Sequence, residues 1–155
     1  MDKEQFVTAL RTSVAEFEKL RPPTSRDALD MSGADLSGCD LRGVQLREVT
    51  LQEVNFEGAD LTGANLTHSK LQGARFKGAK LINVNMHETE LEGADLRGAV
   101  LGGFDDASRM CLRACNFQGV RWGKEELEYF LGVLNKNEEW EIKYQVVPRA
   151  KGKRG

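Results

Sequence analysis

The chain has 155 residues, one domain's worth, and balances 22 Lys and Arg against 24 Asp and Glu for a formal net charge of −2. That balance argues against a broad phosphate-neutralising basic face and against a membrane-seeking one. Its three cysteines lack metal-ligand spacing and fit a reducing compartment better than a disulfide framework.

The first residues, Met1 to Gln5, show no basic start ahead of an apolar run, and no segment approaches the roughly 18 consecutive apolar residues of a membrane span. A cytoplasmic protein without membrane association is expected. From Glu4 to Leu20, Phe6, Val7, Leu10, Val14, Phe17 and Leu20 recur at three and four, which predicts one amphipathic helix. Pro22 and Pro23 end it. Residues 1–23 thus read as an N-terminal helical cap over whatever follows, because terminal units of stacked folds need covering. A partner-binding helix is the sharper alternative. Thr24 to Ala28 is a short linker.

From Met31 to Leu101 a large apolar residue returns at every fifth position, giving fifteen centres, and a smaller residue such as Ala34, Cys39, Val44 or Ala59 precedes most of them by two. A period of five cannot be an α-helical stripe, since 3.6 residues per turn would carry it around the whole cylinder. What fits is a short strand with two inward side chains, then a turn. Four such sides close a coil of about 20 residues, and coils stack roughly 4.8 Å apart. The cysteines at the small inward positions, Cys39 and Cys115, read as buried small hydrophobes.

Runs such as Ala34-Asp35-Leu36-Ser37-Gly38, Ala59-Asp60-Leu61-Thr62-Gly63 and Ala94-Asp95-Leu96-Arg97-Gly98 carry the motif Ala-Asp/Asn-Leu-x-x. Over residues 29–122 the chain resembles the pentapeptide repeat family. The resemblance implies an all-β solenoid, a right-handed quadrilateral β-helix. It also brings the family's best-known activity, binding of DNA gyrase as a mimic of duplex DNA.

With residues 20 apart taken as stacked neighbours, the corner columns Gly38, Gly58, Gly78, Gly98 and Gly43, Gly63, Asn83, Gly103 predict type II turns, whose third position needs positive φ. The column Glu48, His68, Glu88 has no glycine, which predicts a turn without positive φ. The fourth column is glycine except for Glu53. Outward charges are expected to meet across coils, Lys70 with Glu90, Arg75 with Asp95, Lys80 with Asp60 and Lys77 with Glu57. Residues 29–122 hold 13 acids against 10 bases, and the third-coil cations Lys70, Arg75, Lys77 and Lys80, themselves candidate contact residues, break the uniform negative surface that a DNA mimic needs.

After Leu101 the pattern resumes one residue late at Leu112, Phe117 and Trp122, so one residue is inserted within Gly102 to Met110. The stretch Gly102-Gly103-Phe104-Asp105-Asp106 predicts a bulge or small loop, and Phe104, Asp105 and Asp106 are candidate contact residues. Residues 123–148 are expected to form a C-terminal cap, a helix over Lys124–Asn135 and then a half-buried strand through Trp140, Ile142, Tyr144 and Val146. Trp140 and Tyr144 join the candidate contacts. Gyrase-binding members of the family dimerise through such a cap, so the resemblance implies a homodimer. Residues 149–155 form a basic tail.

No nucleophile, base and orienter combine into a hydrolase motif, and the glycines are spaced for turns rather than for phosphate. Neither a cofactor nor an enzymatic activity is expected. The weak metal candidate is Glu48, His68 and Glu88, with His87 on the adjacent coil. The sequence therefore favours a non-enzymatic protein-interaction scaffold, with gyrase inhibition or protection by DNA mimicry as the alternative. Direct nucleic-acid binding is not expected.

Overall fold

A computed structural model of the chain describes residues 3–21 and 29–103, and the backbone alone of 121–122. The predicted loop residues Phe104, Asp105 and Asp106, the C-terminal helix and strand with Trp140 and Tyr144, Cys115 and the basic tail lie outside the described residues.

Every centre from Met31 to Leu101 is buried, none more than 3% exposed, so the five-residue period is an inward column of side chains. Parallel pairing runs at 20-residue intervals, Asp30 with Thr50, Thr50 with Lys70 and Lys70 with Glu90, and likewise on the next two sides. Each centre N–H from Met31 to Phe76 donates to the next coil, as Leu36 does to the Asn55 carbonyl and Phe56 to the Arg75 carbonyl, both at 2.8 Å. With a corner every five residues and a repeat every 20, the coil has four sides.

Where pairing extends beyond single residues, on the third side, it forms a parallel sheet of β1 (Lys80–Ile82), β2 (Val100–Gly102) and β3 (Arg121–Trp122) in that order. Leu81 pairs with Leu101, 20 residues on, but Leu101 pairs with Trp122, 21 on. The additional residue expected after Leu101 is therefore present. On the second side Phe56 and Phe76 stack with ring centroids 5.2 Å apart.

The N-terminal segment is two helices rather than one, α1 (Lys3–Thr12) and α2 (Val14–Leu20). Ser13 breaks the run because it adopts an extended backbone and its Oγ accepts the Glu16 N–H at 3.2 Å, so it caps α2. Phe6, Leu10 and Phe17 are buried, and the Phe6 and Phe17 rings meet edge to face at 6.1 Å.

Both helices lie against the first coil and bond groups that a preceding coil would otherwise pair. Lys3 Nζ donates to the Ser32 carbonyl at 2.9 Å, Arg11 to that of Asp35 at 2.8 Å and Arg21 to that of Arg47 at 3.2 Å. Glu18 accepts the Gln45 N–H at 3.1 Å. Among the described residues no helix is long and apolar enough to cross a membrane.

Candidate functional site

With the interior filled by apolar side chains, chemistry on this molecule belongs to its outward positions, one before and one after each centre, and to its corners. The position before the centre explains the Asp or Asn of the motif. Asp35 Oδ1 accepts the Ser37 N–H at 3.1 Å, Asp60 that of Thr62 at 3.1 Å and Asn65 that of Thr67 at 3.1 Å. These Asx turns satisfy a backbone donor that the coil ladder leaves free. Hydrogen bonds from Arg42, side chain first and then backbone, hold the Asp40 carboxyl down at about 2. Asp95 is lowered by the same kind of contact from Arg97, and Asp60 by Thr62 and then Lys80.

The glycine-free corner departs from expectation. Glu48, His68 and Glu88 all have positive φ, 59°, 58° and 52°, as do Glu53 and Asn83, so among the described residues every column of corners has positive φ. The reason is the ladder: the His68 N–H donates to the His87 carbonyl and the Ser69 N–H to that of Leu66, which requires the same corner geometry as glycine gives elsewhere. At this corner the neighbouring inward residues Ser69 and Thr89 are buried, and their hydroxyls donate to the carbonyls of Leu46 and Leu66.

Of the metal candidates, the structure joins only part. His68 Nδ1 lies 3.1 Å from Glu88 Oε2, and His87 Nε2 lies 3.7 Å from Glu88 Oε1. Glu48 instead reaches Arg47 at 3.7 Å. Among the described residues no group of three His, Cys, Asp or Glu side chains is placed to hold a metal ion.

The cations sort differently from the expected inter-coil pairs. Lys80 meets Asp60 at 3.0 Å as expected. Asp95, however, is taken by Arg97 two residues along its own strand, at 2.6 Å, and Glu90 accepts from Gln72. Arg42 and Arg47 are likewise bound locally, to Asp40 and Glu48. This leaves Lys70, Arg75 and Lys77, all exposed, without a side-chain hydrogen bond or ion pair among the described residues. They sit on one coil, on either side of the Gly73 corner. Sequence alone picked out these three but also paired them, because stacking register does not reveal that an Arg two residues from an Asp on the same strand reaches it more easily.

Residues 30–67 and 59–98 match the family model for pentapeptide repeats, which recur in eight copies. None of the curated proteins compared with the chain matches it. Among solved structures, a pentapeptide repeat protein (Rfr23) from the cyanobacterium Cyanothece 51142 is 33% identical over 61% of this chain, which spans 57% of that protein's length, with a TM-score of 0.34. A pentapeptide repeat protein of the Arabidopsis thaliana thylakoid lumen is 27% identical, with 75% of this chain and 86% of that one covered and a TM-score of 0.42. A trypsin-treated form of QnrB1, a plasmid-mediated fluoroquinolone resistance protein, is 20% identical, with coverages of 75% and 66% and a TM-score of 0.39.

Proposed function

Since the chain belongs to the pentapeptide repeat proteins, which fold as right-handed quadrilateral β-helices and are generally structural or interaction proteins, we propose that it is a non-enzymatic scaffold whose outward side chains contact another protein. One observation carries this reading. The backbone is bonded coil to coil along all four sides, so rows of exposed side chains are held at fixed spacing on a hydrogen-bonded frame, the kind of preorganised surface that favours binding. The experiment is cross-linking capture with the full chain as bait, followed by reconstitution of the recovered protein with purified bait. A stoichiometric, saturable complex is expected. Failure of every recovered protein to rebind the purified chain would remove the scaffold reading.

DNA mimicry toward gyrase is the second reading, favoured by one feature. The first side and its two corners carry Asp30, Glu48, Glu53, Glu88, Glu90 and Glu92. Lys70 interrupts that row, which ranks the reading second. Inhibition of gyrase supercoiling at micromolar protein would support it, and full supercoiling at that concentration would dismiss it.

A further inference from the structure

The partner's chemistry can be read from the third coil, if the chain is an interaction scaffold as proposed above. Among the residues whose side chains are described, every other Lys and Arg is committed within the chain: Lys3, Arg11 and Arg21 to first-coil carbonyls, Lys19 to Glu16, and Arg42, Arg47, Lys80 and Arg97 to carboxylates. Lys70, Arg75 and Lys77 alone are exposed and make no side-chain hydrogen bond or ion pair, Lys77 acting on Asp95 only through space, although acids stand one coil away on both sides. We propose that these three side chains form a docking band for an extended acidic protein segment that runs along the third coil around the Gly73 corner.

The shape of the band selects the occupant. Arg75 and Lys77 project from one side about 6.6 Å apart, two strand residues, and Lys70 projects from the adjoining side. Gly73 puts no side chain on the edge between them. The band is one coil high, and the coils above and below lie only about 4.8 Å away. They carry Glu90, Glu92 and the Asp95–Arg97 ion pair on one flank and Glu53 and Glu57 on the other. These carboxylates act on any occupant, being inside the Debye length of about 8 Å at physiological salt. A wide anion would set its charges directly on them, whereas a narrow one keeps its charges closest to the three cations. Duplex DNA, whose major groove alone is about 12 Å wide, would lay phosphates across both acidic rows. A single polypeptide with carboxylates along one edge fits between them, and the flanking acids fix its line along the rod.

The test uses the full chain and a labelled short poly-glutamate peptide, with fluorescence anisotropy at low and at physiological salt. One variant combines Lys70→Gln, Arg75→Gln and Lys77→Gln. A charge-matched control combines Arg42→Gln, Arg47→Gln and Lys80→Gln, and circular dichroism confirms that both are folded. Salt-sensitive binding is expected, weakened roughly tenfold or more in the first variant and within about twofold of wild type in the control. Equal losses in the two variants, binding no tighter than that of a poly-glutamine peptide, or tighter binding of a single-stranded or duplex oligonucleotide would overturn the proposal. The scaffold reading fails separately. A reconstituted partner that binds the first variant as well as wild type leaves the scaffold standing and removes the band, whereas peptide binding at the band with no reconstituted partner does the reverse.

Discussion

Glu53 holds a left-handed backbone, φ 56°, at a corner where Gly33, Gly73 and Gly93 occupy the other coils. A residue with a Cβ pays roughly 1–2 kcal/mol there, and glycine returns about 0.5–1 kcal/mol of that as entropy in the unfolded chain. Glu53→Gly should therefore stabilise the protein by up to about 1 kcal/mol, read as a higher thermal midpoint. Gly103→Ala should do the opposite. Its new Cβ would lie 1.8 Å from Asn83 Oδ1 on a backbone at φ +68°, so a loss of about 1–3 kcal/mol is expected in the same melt. Glu48, His68 and Glu88 were illegible as left-handed corners because residue type reports preference, and here a ladder bonded on both sides overrides it. The Asx turns explain the motif's Asp and Asn for the same reason: their acceptor role depends on a donor that only the coil leaves free.

Asp40 adds an acid limit. Its carboxyl is held at about 2 in the folded protein by Arg42, against about 3.9 unfolded. A lowered folded pKa contributes stability that is present above the unfolded value and is lost as pH falls toward the folded one. The drop in thermal midpoint between about pH 4 and pH 2 should therefore be smaller in Asp40→Asn than in wild type. The carboxyl is exposed, so the difference is modest.

At the scale of elements, the N-terminal pair shows what periodicity misses. The apolar spacing runs through Ser13 without interruption, and the break lies in Ser13-Val14-Ala15-Glu16, a serine followed three residues later by glutamate. Ser13→Ala should cost about 0.5–2 kcal/mol. Phe17, fully buried against Phe6 and the first coil, should cost about 3–5 kcal/mol when cut to Ala. Chemical denaturation of each variant gives the comparison, and Phe17→Ala should be the larger loss. Inside the rod, Phe76→Ala should cost a similar 3–5 kcal/mol by opening a void beneath Phe56.

Across the whole molecule, the register was legible because one apolar residue in five leaves no other way to keep the interior dry. The pairing of outward charges was only partly legible. Lys80 and Asp60 meet across coils, but Asp95 has a nearer cation in Arg97, two residues away on its own side. The cations left over are the ones on which the docking band rests.

The coil geometry that places every one of these groups is tested most directly by residue-resolved hydrogen exchange. In the pentapeptides centred on Met31 to Phe76 the N–H of the centre and of the corner donates to the next coil, and in most of them the residue after the corner closes the turn, as Leu71, Gly73 and Ala74 do. The amide after the centre has no coil partner. Where no Asx side chain precedes it, as at Gln72 and Lys77 following Lys70 and Arg75, it is left to solvent. Exchange should therefore be fast at Gln52, Gln72 and Lys77, and slow, near the global unfolding limit, at Leu51, Leu71, Phe76 and their corner neighbours. Uniform protection across Lys70 to Ala79, or an alternation of period two, would contradict the four-sided coil and with it the surface derived from it.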